Sequence, residues 1–191
     1  MAPPTRPEIH IFRDAAVIWK NFAGAQKQYN PEGKRNFNLL LDANTAEELM
    51  RQQNQWGDTW KIKPRKRNAD DGEDYGPPEY TLEVAVSFQV KPPRIWLITS
   101  SGRTMLGEGF INMLDDLDAL KVDLTLTGYD WMMKTGTHGR KAYLDTMFYT
   151  MYENPLELEY STVPQIAVAG GEMPAIEAGS RQQFDYEGEE V

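Results

Sequence analysis

Aromatic rings and cations alternate along an early stretch of the sequence, residues 12–42. The set comprises Trp19, Phe22 and Tyr29 together with Lys20, Lys27, Lys34 and Arg35. Flat rings stack on unpaired bases, while Lys and Arg neutralise phosphates, so a surface that carries both groups suits single-stranded nucleic acid. The alternative is that the rings are core residues of strands and that the lysines lie in solvated turns.

A second run, WKIKPRKR at residues 60–67, has the densest positive charge in the chain. We predict a strand and loop that contact phosphates here, and the alternative is a solvated hairpin arm. The rings predicted to stack on bases, some of which must instead be core, are Trp19, Phe22, Tyr29, Trp60, Trp96, Tyr129 and Trp131. The cations predicted to contact phosphates are Lys20, Lys27, Lys34, Arg35, Lys61, Lys63, Arg65, Lys66, Arg67, Arg94, Arg103, Lys134, Arg140 and Lys141.

Short alternating segments, separated by turn signals, predict the strands that would position these residues. Phe37, Leu39 and Leu41 fall on one face of a strand that follows the turn sequence NPEG. A later strand is predicted to place Ala142, Leu144, Thr146 and Phe148 on one side and Tyr143, Met147 and Tyr149 on the other. Because no βαβ alternation occurs, the pattern indicates an all-β, mainly antiparallel sheet or barrel.

Helical signals are few. Thr45 and Glu48 have the spacing of a capping box at the start of one short helix. A second weak helical pattern covers residues 110–120. Residues 155–160 keep an alternating pattern through Leu156 and Leu158, which we interpret as packing at the edge of the barrel.

Composition points to a globular domain with extensions. The chain has 191 residues, 40% hydrophobic and 26% charged, and it contains no cysteine, which excludes disulfides and thiolate zinc sites. Its net charge is −9, but residues 161–191 hold six acids against one arginine and contribute −5 of it. A local basic groove, and not the net charge, decides nucleic-acid binding. No apolar run approaches the length of a membrane span, so we expect neither export nor insertion.

Catalytic motifs are missing from the sequence. It contains no Walker A loop, no GxSxG and no GxGxxG. The histidines His10 and His138 are predicted to be idle. Three acids at Asp115, Asp116 and Asp118 are typical of a solvated face and not of a metal site. We therefore expect no enzyme activity, no cofactor and no metal.

An ordered series of segments resembles the bacteriophage single-stranded DNA-binding proteins of tailed phages, which are built on an OB-fold. The segments are WKNF, YNPEGKRNFNLLLD, KIKPR, PPRIWLITSSGRTML, VDLTLTGYDW and KAYLDTMFYT, and they cover roughly the first 160 residues. The resemblance implies an OB-fold-like small barrel with elaborated loops and one or two short helices. It implies a DNA-binding domain at residues 9–160. The prolines of the N-terminus predict a disordered lead-in at residues 1–8. The acidic composition after residue 160, without a strand pattern, predicts a disordered, flexible acidic tail at residues 161–191.

The same resemblance implies a protein that binds and protects single-stranded DNA with little sequence preference during phage DNA replication or recombination, in the cytoplasm of the infected bacterial host. Acidic tails in such proteins recruit replication enzymes, such as polymerase, helicase, primase or nuclease, and compete with DNA for the basic groove. The tail residues predicted to do so are Phe184, Asp185, Tyr186, Glu187, Glu189 and Glu190. The chain ends in Val191 and not in an aromatic residue, so an inert solubilising tail remains an alternative.

Two other functions fit the same strands and rings. A virion or scaffold β-barrel would use the aromatics as core and as protein interface. A strand-annealing recombination protein would form rings or filaments and pair complementary strands. A homo-oligomer is compatible with all three functions.

Overall fold

The alternating segments of the sequence form short strands that make up most of the fold. The structure is a computed structural model and describes residues 9–28, 30–65, 77–89 and 91–162. The strands within these residues are β1 (Ile9–Phe12), β2 (Ala16–Asn21), β3 (Asn36–Leu41), β4 (Ile62–Pro64), β5 (Tyr80–Ala85), β6 (Arg94–Thr99), β7 (Gly102–Leu106), β8 (Ala119–Met132) and β9 (His138–Met151). The helices are α1 (Ala43–Arg51), a 3-10 helix (Ile111–Asp115) and α2 (Pro155–Tyr160).

The sheet closes into a barrel of five strands, in which β1 and β2 together count as the first strand. β2, β3 and β5 form an antiparallel meander, β5 runs parallel to β9, and β9 pairs with β8 in antiparallel register. β1 pairs with β8, and β2 follows β1 directly in the chain, so this first strand joins both edges of the sheet. The backbone bond from Ala15 N to Val122 O, 2.7 Å long, lies at the junction. This strand order is that of the five-stranded OB-fold, which confirms the predicted fold class.

Additional elements enlarge the barrel. β4 pairs with the first half of β5, and the hairpin of β6 and β7 pairs with β9 in parallel through β6. The core lies inside the barrel, where Phe37, Leu39 and Leu41 are buried as predicted. Phe22 stacks on Phe37 at a centroid distance of 5.5 Å.

α1 begins three residues earlier than the predicted capping box requires. Its N-cap is Asp42, whose carboxylate accepts bonds from the Thr45 amide at 2.9 Å and from the Thr45 hydroxyl at 2.7 Å. Glu48 therefore does not act as the reciprocal partner of Thr45. Ala46 and Leu49 are the buried residues of this helix.

A β-bulge at Asp145 changes which side chains of β9 face the core. Thr125 pairs with Thr146 while Leu126 pairs with Leu144, so Asp145 is one residue too many opposite β8. Beyond the bulge Met147 is fully buried, whereas Phe148 is exposed. The prediction that Phe148 shares a face with Leu144 is therefore wrong, because the bulge shifts the alternation by one residue.

The described residues beyond the barrel, 154–162, belong to a second unit, separate from that of residues 9–153. In it α2 begins at the Asn154 cap, whose side chain accepts a bond from the Leu156 amide at 3.0 Å, and Pro155 occupies the first turn. The predicted extended segment at residues 155–160 is thus a short helix. Among the described residues, the helices are too short or too polar to span a membrane.

Candidate nucleic-acid interface

A groove of about 550 Å³ opens on the outer face of the barrel. Its floor consists of β3 and β5, with Asn38 and Glu83 among the lining residues. These strands are the second and third of the five-stranded barrel, the face on which OB-folds bind oligonucleotides. One wall is formed by β4 and the residue before it, residues 61–64, which we call the β4 arm; its lining residues are Lys61 and Lys63. The other wall is the β8–β9 hairpin, whose lining residues include Tyr129, Trp131, Met133, Lys141 and Tyr143.

The hairpin presents its rings to the groove through the period-two alternation of β8. Tyr129 pairs with Lys141 and Trp131 pairs with Gly139, so the two rings share one face of the hairpin. Its tip is a tight turn in which the Met133 amide donates to the Thr137 carbonyl at 2.7 Å. Gly136 has a φ of 83°, a left-handed conformation that favours glycine.

Rings and cations contact one another inside the groove. Tyr129 is 58% exposed and meets Tyr143 edge to face, with centroids 6.0 Å apart. The Lys61 ammonium lies 5.6 Å from the Trp131 ring centroid, which connects the two walls. The Lys141 ammonium lies 5.2 Å from the ring of Tyr143. Trp131 and Tyr143 therefore each have a cation beside them, the arrangement that base stacking with phosphate contact requires.

The charges of the groove are divided between floor and walls. On the floor the Lys34 ammonium pairs with Glu83 at 2.7 Å, and the Asn36 amide donates to the same carboxylate at 3.1 Å. Burial would raise the pKa of Glu83, but the hydrogen bonds from Lys34 and Asn36 outweigh it and lower the pKa. Among the described residues, Lys61, Lys63 and Lys141 form no ion pair with a carboxylate. The walls therefore carry cations that a phosphate can approach, while Asp58 interacts with Lys61, and Glu83 with Lys141, only at longer range than an ion pair.

His138 holds the tip of the hairpin instead of remaining idle. Its Nδ1 lies 2.7 Å from a carboxylate oxygen of Asp58, and its ring lies 5.5 Å from that of Trp56. The hydrogen bond with His138 lowers the pKa of Asp58, so this carboxylate is ionised at neutral pH. The loop before β4 and the start of β9 are thereby joined at one end of the groove.

The predicted site residues separate into groups. Tyr129, Trp131, Lys34, Lys61, Lys63 and Lys141 meet in the groove, although they come from four different parts of the chain. Trp96, Arg94 and Arg103 lie together on β6 and β7, on another part of the sheet. The remaining described cations lie elsewhere: Lys20, Lys27, Arg35, Arg65 and Lys134 are absent from the groove lining.

Three predicted contacts are corrected by burial. Phe22 is fully buried and Trp60 is 3% exposed, so neither ring can offer a face to a base in this conformation. Trp60 donates from Nε1 to Gln52 Oε1 at 3.0 Å and has the Arg140 guanidinium 4.7 Å from its ring. Arg140 is itself 8% exposed and lies 3.3 Å from Asp130, so it is a structural cation and not a phosphate contact.

Several other predicted cations have partners within the fold. The Lys20 ammonium donates to the Leu117 carbonyl at 2.6 Å and to the Tyr149 hydroxyl. Burial, with the charges of Asp118 and Asp115, raises the pKa of that Tyr149 hydroxyl to about 12. Arg35 pairs with Glu108, and Arg65 pairs with Glu79 at 2.9 Å. Lys27 donates to the Lys20 carbonyl at 3.0 Å.

Some predictions fall outside the described residues. These are Tyr29, Lys66, Arg67 and the tail residues Phe184, Asp185, Tyr186, Glu187, Glu189 and Glu190. Trp19 is described and is 60% exposed, on β2 directly after Ile18, which pairs with the groove residue Asn38. It remains a candidate for stacking near the groove.

Sequence reasoning missed Tyr143 and Glu83. Tyr143 lies two residues after Lys141, so the alternation of β9 could have placed both on the groove face. The sequence does not mark Glu83 as a site residue, because a single acid in a strand does not predict which residues of the neighbouring strands it contacts. Among the described residues, no cluster of three or more His, Asp or Glu side chains is placed to hold a metal ion.

Comparisons with known proteins give one family and several distant structures. The family model of the phage ssDNA-binding domain matches residues 5–190, nearly the whole chain. A single-stranded DNA-binding protein from bacteriophage Enc34, solved in complex with ssDNA, is 12% identical, with a TM-score of 0.46, over 77% of this chain and 88% of that one. The single-stranded DNA-binding protein gp2.5 of bacteriophage T7 is 10% identical, with a TM-score of 0.39, over 85% of this chain and 100% of that one. The curated proteins contain no match.

Proposed function

The chain belongs to the phage ssDNA-binding domain family, and we propose that its single-stranded DNA binds in the groove between the β4 arm and the β8–β9 hairpin. The observation that carries this proposal is the lining of the groove. Tyr129, Trp131 and Tyr143 line the groove together with lysines that form no ion pair with a described carboxylate. In this arrangement bases contact the rings while phosphates contact Lys61, Lys63 and Lys141.

The groove favours single strands over duplex for a physical reason. Bases within a duplex already stack on each other, whereas the bases of a single strand can stack on Tyr129 and Trp131. Each such stack contributes roughly 1–3 kcal/mol and depends little on the base, because every base has a π-face. Little sequence preference follows from that.

The biological role proposed for this binding is protection of exposed strands during phage DNA replication or recombination, in the cytoplasm of the infected host. Binding and release of the strand require no catalytic residue. The acidic residues of positions 161–191 are proposed to recruit replication proteins and to compete with DNA for the lysines of the groove. Self-association of the protein would allow several copies to cover one strand.

The salt dependence of binding tests the phosphate contacts. The triple variant Lys61→Gln, Lys63→Gln, Lys141→Gln removes three cations from the groove walls. Each lost contact with a single strand reduces the slope of log affinity against log salt by about 0.7, so the slope should fall by about 2. Fluorescence anisotropy with labelled oligo-dT at several salt concentrations measures this slope.

A charge-matched control separates local from overall charge. The variant Arg13→Gln, Lys27→Gln, Arg51→Gln also removes three cations, but none of them lines the groove. We expect its salt slope to remain that of the wild type. Equal slopes in the wild type and both triple variants would remove the groove lysines from the binding site.

A further inference from the structure

A second aromatic surface lies on the outer face of β6, β7 and β9. Trp96 and Phe148 are neighbours on parallel strands, with ring centroids 6.5 Å apart and planes only 8° from parallel. The Arg103 guanidinium lies 5.0 Å from the Trp96 ring centroid. Met105 pairs with Trp96 on the other side and is 60% exposed. We call Trp96, Phe148, Arg103 and Met105 the β6 platform.

The bulge at Asp145 turns the β6 platform to the same side as the groove. Tyr143 faces outward on β9, and strict alternation would send Phe148 into the core. Because the bulge adds a residue, Phe148 also faces outward and is 38% exposed. At about 3.3 Å per residue, Tyr143 and Phe148 are separated by about 16 Å along one strand.

Positive charge lies between the groove and the β6 platform. Lys91 and Arg94 both approach the carboxylate of Asp145, with Arg94 at 3.8 Å. Two cations share one carboxylate, and the side chains of Lys91 and Arg94 are 72% and 67% exposed. Among the described residues, Arg103 has no carboxylate partner. The route along β9 from Lys141 to Arg103 therefore carries four cations, whereas its two carboxylates, Asp145 and the Asp123 opposite Phe148, are each paired with a lysine.

We propose that a DNA strand bound in the groove continues along the outer face of β9 and stacks a further base on the β6 platform. The proposal rests on the proposed function and extends its site. Arg103 lies over Trp96, where it can contact the phosphate next to a base stacked on the exposed part of the platform. Lys91 and Arg94 contact phosphates on the way.

The charges favour DNA over a second copy of the chain on this face. In a two-fold interface each surface meets itself, so Arg103 and Arg94 of one copy would approach the same cations of the other. Like charges brought together across an interface are unfavourable. A strand of phosphates is complementary to them.

Oligonucleotide length separates the β6 platform from the groove. We would measure the affinity of the full chain for oligo-dT from about 4 to about 16 nucleotides, the range that OB-folds cover. Trp96→Ala and Arg103→Gln should bind the shortest oligonucleotides as the wild type does, and should lose about tenfold in affinity at the longest. Phe110→Ala, which removes another exposed aromatic outside both surfaces, is the matched control and should lose nothing.

The outcomes distinguish the two proposals. Wild-type affinity of both variants at every length overturns the β6 platform while leaving the groove intact. If the wild-type protein binds no oligonucleotide of any length, both the groove and the β6 platform are overturned as DNA sites. A change in molecular mass by analytical ultracentrifugation in Trp96→Ala, with unchanged DNA affinity, assigns the platform to protein contact and also overturns the inference.

Discussion

At the scale of single residues, the position of Trp131 depends on a glycine in the facing strand. Gly139 lies opposite Trp131, and a Cβ at that position would lie 2.8 Å from Cζ2 of the indole. The missing side chain therefore lets the ring lie against the backbone of β9. From there the ring is within 5.6 Å of the Lys61 ammonium across the groove.

Gly139→Ala should displace Trp131 and weaken DNA binding. The added methyl group forces the indole away from β9, and the loss of one well-placed stack should lower oligo-dT affinity about tenfold. The free energy of unfolding should change by less than about 1 kcal/mol, because the ring can rotate toward solvent. Gly109→Ala is the control, since a Cβ there meets no atom within 4 Å. Equal affinities of the two variants would contradict this role of Gly139.

Trp19 is held in an unfavourable backbone conformation. Its φ is 50°, in the left-handed region, and it lies where the pairing of β2 with β3 shifts between Ile18 and Asn21. Such a conformation costs a residue with a side chain roughly 1–2 kcal/mol. Because the indole is also 60% exposed, burial of the ring does not offset that cost. Strain of this kind often accompanies binding surfaces.

The strain can be measured with two substitutions at position 19. Trp19→Asn should unfold with a free energy about 1 kcal/mol higher than Trp19→Val, because Asn tolerates the left-handed region and a β-branched residue does not. Urea denaturation of both variants gives the comparison. Equal stabilities would mean that the backbone at this position relaxes freely.

The sequence predicted residue types better than their exposure. Of the cations and rings of the groove, all except Tyr143 were predicted, because local runs such as WKIKPRKR concentrate residues of these types. Trp60 and Phe22 stand in the same runs and yet are core, since burial depends on the strands that fold over them. Trp60 is covered by Arg140 and by His10, which lie 80 and 50 residues away in sequence.

At the scale of elements, the bulge in β9 decides what each face of the barrel carries. Asp145 binds Lys91 and lies near Arg94 and Thr146, so the extra residue is held in place from two sides. Partial burial would raise the pKa of Asp145, but its bonds with Lys91 and Thr146 and the charge of Arg94 outweigh this and lower it. The folded state therefore favours the ionised carboxylate.

This carboxylate predicts a pH dependence of stability. A carboxylate whose pKa is lower in the folded than in the unfolded state stabilises the fold at pH values above the ordinary pKa of 3.8. This contribution is lost as the pH falls through the pKa of the folded state. Asp145→Asn should lower the free energy of unfolding by about 1 kcal/mol near neutral pH. The difference from wild type should narrow at about pH 3.

Urea denaturation at both pH values measures the effect of Asp145→Asn. Asp116→Asn, a substitution of a carboxylate on the 3-10 helix C-cap, serves as the control. A stability difference between Asp145→Asn and wild type that stays constant with pH would show that the carboxylate charge does not hold the bulge.

Strand periodicity predicted the elements wherever the alternation is unbroken. In β3 the apolar set Phe37, Leu39 and Leu41 is buried as expected. In β9 the expectation holds up to Leu144 and fails after Asp145, because no sequence signal marks the bulge. Around Pro155 the sequence carries two competing signals, a short alternation typical of a strand and an Asn-Pro pair typical of a helix start. The structure has the helix, with Asn154 as its N-cap.

At the scale of the whole molecule, an acidic chain carries a local cationic surface. The net charge is −9, yet lysines converge on the groove from β4, β9 and the loop before β3. Only the closure of the barrel brings them together, through the parallel pairing of β5 with β9. Long-range pairing of this kind cannot be predicted from local runs, which is why most of the cations and rings of the site were predicted but their grouping was not.

The most direct test of the groove is the intrinsic tryptophan fluorescence of the full chain titrated with oligo-dT. It would be measured at low and at high salt, against duplex of equal length, in the wild type and in Trp131→Phe. With an oligo-dT short enough to occupy the groove alone, we expect quenching that high salt weakens, that duplex barely produces, and that Trp131→Phe largely loses while still binding DNA by anisotropy. Flat traces with both ligands, or quenching unchanged in Trp131→Phe, would contradict a stacking groove at the β8–β9 hairpin.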